Sequence, residues 1–203
     1  MLFWIENSPQ KGLLYAYKDL SFIDFERSVC SSCGRTIAKP QFRSETPHFL
    51  LEEGNIYPDC LWFTGAGRQP FLISERTLDL LERYRITGYS GYHPVTVEYV
   101  GEAKIDGKQP HYYALDISGK VDLDFAKMCL KKKRKCASCG QFDWNRQRLS
   151  PKYLDQSTWD GSDLCALVTF PGYKLCSERM KDLVVEHKLT GFSFEPAFNT
   201  QDT

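Results

Sequence analysis

Two copies of one pentapeptide pattern, Cys30-Ser31-Ser32-Cys33-Gly34 and Cys136-Ala137-Ser138-Cys139-Gly140, stand 106 residues apart in a chain of 203. In a C-x-x-C-G knuckle the backbone curls so that both sulfurs face one point. The trailing glycine takes the left-handed conformation that a side chain resists. Two knuckles supply four thiolates, Cys30, Cys33, Cys136 and Cys139, which is a closed tetrahedral set for a structural zinc ion. A compact zinc ribbon separates its cysteine pairs by only about 15–20 residues, so this site has to join distant parts of the chain. Two other readings of the pairs stand beside zinc. One is a remnant without metal; the other is a dithiol redox centre, against which neither pair has a thioredoxin-like strand, active-site Trp or helix start. Of the remaining cysteines, Cys60, Cys165 and Cys176 read as small buried apolar residues. Cys129 reads the same way and, lying seven residues before Cys136, is the one exception open to a role as a further ligand, a role left equally open to a histidine.

The knuckles belong to a longer repeat. Ser74-Glu75-Arg76, Asp79-Leu80 and Ile86-Thr87-Gly88-Tyr89-Ser90 return as Ser177-Glu178-Arg179, Asp182-Leu183 and Leu189-Thr190-Gly191-Phe192-Ser193, all at an offset of 103. The spacers also echo each other, with Asp59-Cys60-Leu61 before the first segment and Asp163-Leu164-Cys165 before the second. A repeat of this size sets the architecture before any single element does. It predicts one domain over 1–203, made of two pseudo-repeats at approximately 1–105 and 106–203. Each S-E-R segment reads as a helix start, with Ser as N-cap and Glu in the first turn. Met180, Leu183, Val184 and His187 fall on one helical stripe, and Gly88 and Gly191 are the expected C-terminal caps.

Between the helices the pattern changes to alternation: Val95, Val97 and Tyr99, then Tyr113, Leu115 and Ile117, with Asp106-Gly107 as the turn. Tyr15 and Tyr17 alternate in the same way, and Phe3-Trp4-Ile5 reads as an opening strand. The expected class is α+β, with short, mostly antiparallel strands and one main helix per half. No apolar run approaches the ~20 residues of a membrane span. The apolar start is too short for a signal-peptide core, which predicts a cytoplasmic protein with reduced thiols.

Basic and acidic residues balance at 26 each, which counts against a general nucleic-acid coat. Lys131 to Lys135 form the one charge run and read as a solvated segment. No Gly-rich phosphate loop, G-x-S-x-G, H-E-x-x-H or H-x-E signature is present. His48, His93, His111 and His187 share no spacing. Trp159-Asp160-Gly161-Ser162-Asp163 reads as a tight turn rather than an acid–base pair. A closed four-cysteine site cannot activate water. These readings predict a binding protein, not an enzyme.

The two C-x-x-C-G motifs, the Phe3-Trp4-Ile5-Glu6 opening and the W-D-G-S-D segment at Trp159–Asp163 together resemble the double-CXXCG motif proteins, a family expanded in myxobacteria. The resemblance runs in order from about Leu2 to Pro196 and departs at Cys165, where a large aromatic is expected. It implies an immunity protein of a Sit-type contact-dependent toxin system, which binds and neutralises one cognate toxin encoded nearby. The competing expectation is a zinc-ribbon nucleic-acid-binding or transcription-associated protein using Lys131 to Lys135.

Overall fold

Leu2 to Ile5 are apolar without alternation, the mark of a strand covered on both faces. In the computed structural model they open strand β1 (Leu2–Asn7). The structure describes residues 1–7, 12–20, 22–42, 47–52, 54–62, 70–124, 136–139, 153–170 and 172–197. Lys131 to Lys135, Cys129 and Gly140 lie outside the described residues.

After β1 come β2 (Tyr15–Asp19), β3 (Phe22–Val29), β4 (Thr36–Phe42), β5 (His48–Glu52), β6 (Cys60–Leu61), β7 (Phe71–Ser74), α1 (Glu75–Arg83) and β8 (Tyr89–Tyr99). The second half follows with β9 (Tyr112–Ile117), β10 (Lys120–Leu123), β11 (Leu154–Asp155), β12 (Leu164–Leu167), β13 (Lys174–Ser177), α2 (Glu178–Glu186) and β14 (Phe192–Pro196). The class is α+β, as the patterning predicts. One sheet has the order β2-β5-β8-β9-β7-β6, another β11-β10-β12-β13-β1-β14, and β3 pairs with β4 alone.

The order of the strands does not follow the order of the halves. β1, the first strand of the chain, lies between β13 and β14; β9 lies between β7 and β8. The registers correspond, with Ser74 opposite Tyr112 and Ser177 opposite Leu2. The offset of 103 also gives way to 102 along β14, because a bulge between Tyr89 and Gly91 adds one residue to β8.

Each six-stranded sheet has apolar residues on both faces. Phe3 and Ile5 of β1 join Phe71, Ile73, Leu81, Leu115, Met180, Leu183 and Val184 in a core shared by the two halves. Leu2 and Trp4, pointing the other way as strand geometry requires, pack with Val121, Leu123, Leu167 and Leu175. Burying such side chains contributes about 1.5–3 kcal/mol each, so β1 is a large share of the second sheet's stability. A third cluster, with Phe49, Leu51, Leu72 and Tyr112, covers the far face of the first sheet.

Candidate metal centre and the clamp between the halves

The first knuckle is the turn of the β3–β4 hairpin. The Gly34 amide donates to Cys30 O and the Cys30 amide to Arg35 O, both at 2.8 Å, and Gly34 has φ +71°. The turn therefore uses its glycine as the motif predicts. The second knuckle is brought against it: Cys30 Sγ lies 3.8 Å from Cys136 Sγ, Cys33 Sγ lies 3.7 Å from Cys139 Sγ, and Ser32 and Ser138 share a 2.6 Å hydroxyl bond. All four sulfurs fall within 4.8 Å of one another, and none of these cysteines is in a disulfide. A disulfide needs about 2.05 Å, whereas these separations are compatible with four ligands around one metal ion.

The thiols titrate as a crowded set. Amides of Cys139 and Ser138 hold Cys136 down at about 6, and those of Ser32 and Cys33 lower Cys30. The Arg35 amide favours the Cys33 thiolate, but desolvation and the three neighbouring cysteines outweigh it and push Cys33 up to about 12. Four negative charges cannot collect at this spacing without a cation, and a divalent ion reverses that balance. Burial instead pushes up the thiols of Cys60, Cys165 and Cys176, which keeps them protonated and inert in the core.

The S-E-R segments form capped helices. Ser74 Oγ accepts from the Thr77 amide and Ser177 Oγ from the Met180 amide, each at 3.2 Å. Sequence reading stops at the cap, and the structure adds a pair of reciprocal clamps. Asp59, 8% exposed, accepts from Ser74 Oγ (3.0 Å), Arg76 Nη1 (3.2 Å), the Thr190 amide (2.9 Å) and Thr190 Oγ1 (3.2 Å). Asp163, 6% exposed, accepts from Ser177 Oγ (2.7 Å), Arg179 Nη1 (2.9 Å), the Thr87 amide (3.0 Å) and Thr87 Oγ1 (3.1 Å). Each aspartate thus holds the serine and arginine of its own half and the threonine of the other. Each arginine then crosses over: Arg76 Nη2 donates to His187 O (2.6 Å), and Arg179 Nη2 donates to Tyr84 O.

The glycines have a different use from the expected one. The helices end in Schellman motifs whose left-handed residues are Arg85 and Lys188, both at φ +51°. The Ile86 amide reaches Leu81 O (2.9 Å) and the Leu189 amide Val184 O (3.0 Å). Gly88 and Gly191 come three residues later and cap nothing. A Cβ on Gly88 would collide with the Leu164 carbonyl, and one on Gly191 with the Cys60 carbonyl. They let the backbone of one half meet that of the other, where the Leu164 amide donates to Thr87 O and the Cys60 amide to Thr190 O, both at 2.9 Å.

Met180, Leu183 and Val184 are buried as the stripe predicts. His187 is not in the core: it is the C-cap of α2, with its Nε2 3.0 Å from Tyr84 Oη and the two rings edge-on. Asp160 closes the W-D-G-S-D turn by accepting from the Ser162 amide (3.0 Å), and Gly161 has φ +83°. No family model matches this sequence, and no curated protein matches it.

Proposed function

We propose that the chain is a zinc-stapled, internally duplicated binding protein that acts as a cytoplasmic immunity protein. It neutralises one cognate toxin by stoichiometric binding and turns nothing over. The observation that carries this reading is the cysteine cluster. With Zn–S bonds of about 2.3 Å, a tetrahedral site has sulfur–sulfur edges of about 3.8 Å, and the two cross-pairs lie at 3.7 and 3.8 Å. Four protein ligands fill such a site, leaving no position for water or substrate, so the ion's role is to tie residues 30–33 to residues 136–139.

The duplication is supported by matching registers, matching caps and the reciprocal clamps. The polar residues Ser74, Arg76, Asp59 and their counterparts are committed to those clamps. A protein of this kind acts through its surface, and an interface of standard size buries about 1,600 Å² in total. The resemblance to the double-CXXCG proteins supplies the partner class, a protein toxin.

Co-expression with the product of a neighbouring toxin-like gene tests the reading. The expected result is survival together with co-purification of a stable complex. Survival without a complex would indicate an enzyme that modifies the toxin, and death of the cells would end the immunity reading.

A further inference from the structure

The contacts between the halves have the form of an isologous interface, in which residue i of one side meets j of the other and j meets i. Thr190 binds Asp59 while Thr87 binds Asp163. Gly191 meets Cys60 while Gly88 meets Leu164. Tyr84 and His187, at corresponding helix ends, meet each other. The first strands are exchanged in the same sense. β1 completes the ladder of β13 and β14 with three and five residue pairs, and β9 completes that of β7 and β8 with four and six. Both strands occupy central places in their sheets, where removal exposes two ladder edges at once. The covalent link between the halves, residues 100–111, runs through an exposed turn at Gly107 and Lys108.

From this we infer that each half carries a self-complementary docking face whose partner is a half of the same kind, and that this face holds the molecule together without the link. The fold is a dimer joined end to end. A half borne on a separate chain has every contact it needs: a slot for its partner's first strand, an aspartate for its partner's threonine, and one knuckle of the cysteine cluster. The inference rests on the duplication reading and is independent of any toxin.

The test inserts a protease recognition sequence between Gly107 and Lys108 of the full-length protein and cuts it after purification. The expected result is a complete cut on a denaturing gel with no loss of native mass. Persistence at about 1 µM protein places the dissociation constant below that value. The measurement is then repeated with a metal chelator, and the cut protein is again expected to stay whole, because β1 and β9 remain in each other's sheets. Separation on cutting alone would overturn the inference. Separation only with chelator would show that the cysteine cluster, and not the exchanged strands, joins the halves, and would overturn it as well. Toxin protection is not read in either arm, so failure here and failure of the immunity reading are separate results.

Discussion

The two helical segments, 71–92 and 174–195, share a strand register, a serine cap and a clamp, and differ in an instructive way. Where a residue belongs to a clamp or to the close backbone approach it is the same in both: Ser74 and Ser177, Arg76 and Arg179, Thr87 and Thr190, Gly88 and Gly191. Where the side chain packs among apolar neighbours instead, the residues diverge. Ile73 corresponds to Cys176, Thr77 to Met180 and Leu78 to Lys181. Thr77 and Met180 are both fully buried, and only Thr77 adds a hydroxyl bond, to Asp59 O (3.2 Å). Lys181 replaces a buried leucine by laying its ammonium 4.4 Å from the centre of the Phe3 ring. An apolar neighbourhood accepts several volumes and shapes, whereas an aspartate with four donors accepts one arrangement.

The sharpest way to break this equivalence is at the proposed zinc site. Cys30→Ser and Cys136→Ser each remove one ligand from a different half and are expected to lower stability equally. The loss is about 4 kcal/mol where the free ion stands at a thousand times its dissociation constant. Calorimetry with and without chelator reads it, and Cys60→Ala, which removes a buried thiol outside the cluster, should show no chelator dependence. Because bound thiolates have released their protons, this stabilisation is present at neutral and higher pH and is lost as pH falls.

Next in size are the clamps. Asp59→Ala and Asp163→Ala each strand four donors, one of them a charged guanidinium, and are expected to cost about 3 kcal/mol, toward the low end for a broken buried pair because the arginines are half-exposed. Urea titration should give equal values for the two, and a large inequality would mean that the clamps are not equivalent. The smallest effect is expected at the helix ends. Lys188→Gly relieves a left-handed conformation that disfavours side chains by about 1 kcal/mol and gives part of that back in chain entropy. A rise in melting temperature of about 2 °C would follow, and Arg85→Gly should match it.

Much of this was legible in the residues. The knuckles with their glycines pointed to one cluster and serine followed by Glu-Arg to capped helices, while Asp106-Gly107 is not a tight hairpin turn but a bridge and a bend within the longer connection 100–111. All of those signals are local. The role of Asp59 and Asp163 was not readable, because a carboxylate beside a short strand looks the same whether it faces water or a threonine 131 residues away. The glycines misled for a related reason. A glycine after a helix is usually its cap, but here Arg85 and Lys188 take the left-handed turn, and the glycines answer to a carbonyl in the other half. The exchange of β1 and β9 was equally hidden, since an apolar run states that a strand is covered on both faces but not which strands cover it.

The crossed arginines also bear on how the molecule comes apart. An α-helix carries partial negative charge at its carboxyl end, and a nine-residue helix is too short to persist alone in water. In this fold the arginine at the start of each helix donates to the last carbonyls of the other, beside Arg83 in the last turn of α1 and with no basic residue in the last turn of α2. Amide protons in α1 and α2 are therefore expected to share one opening event, which native-state hydrogen exchange reads.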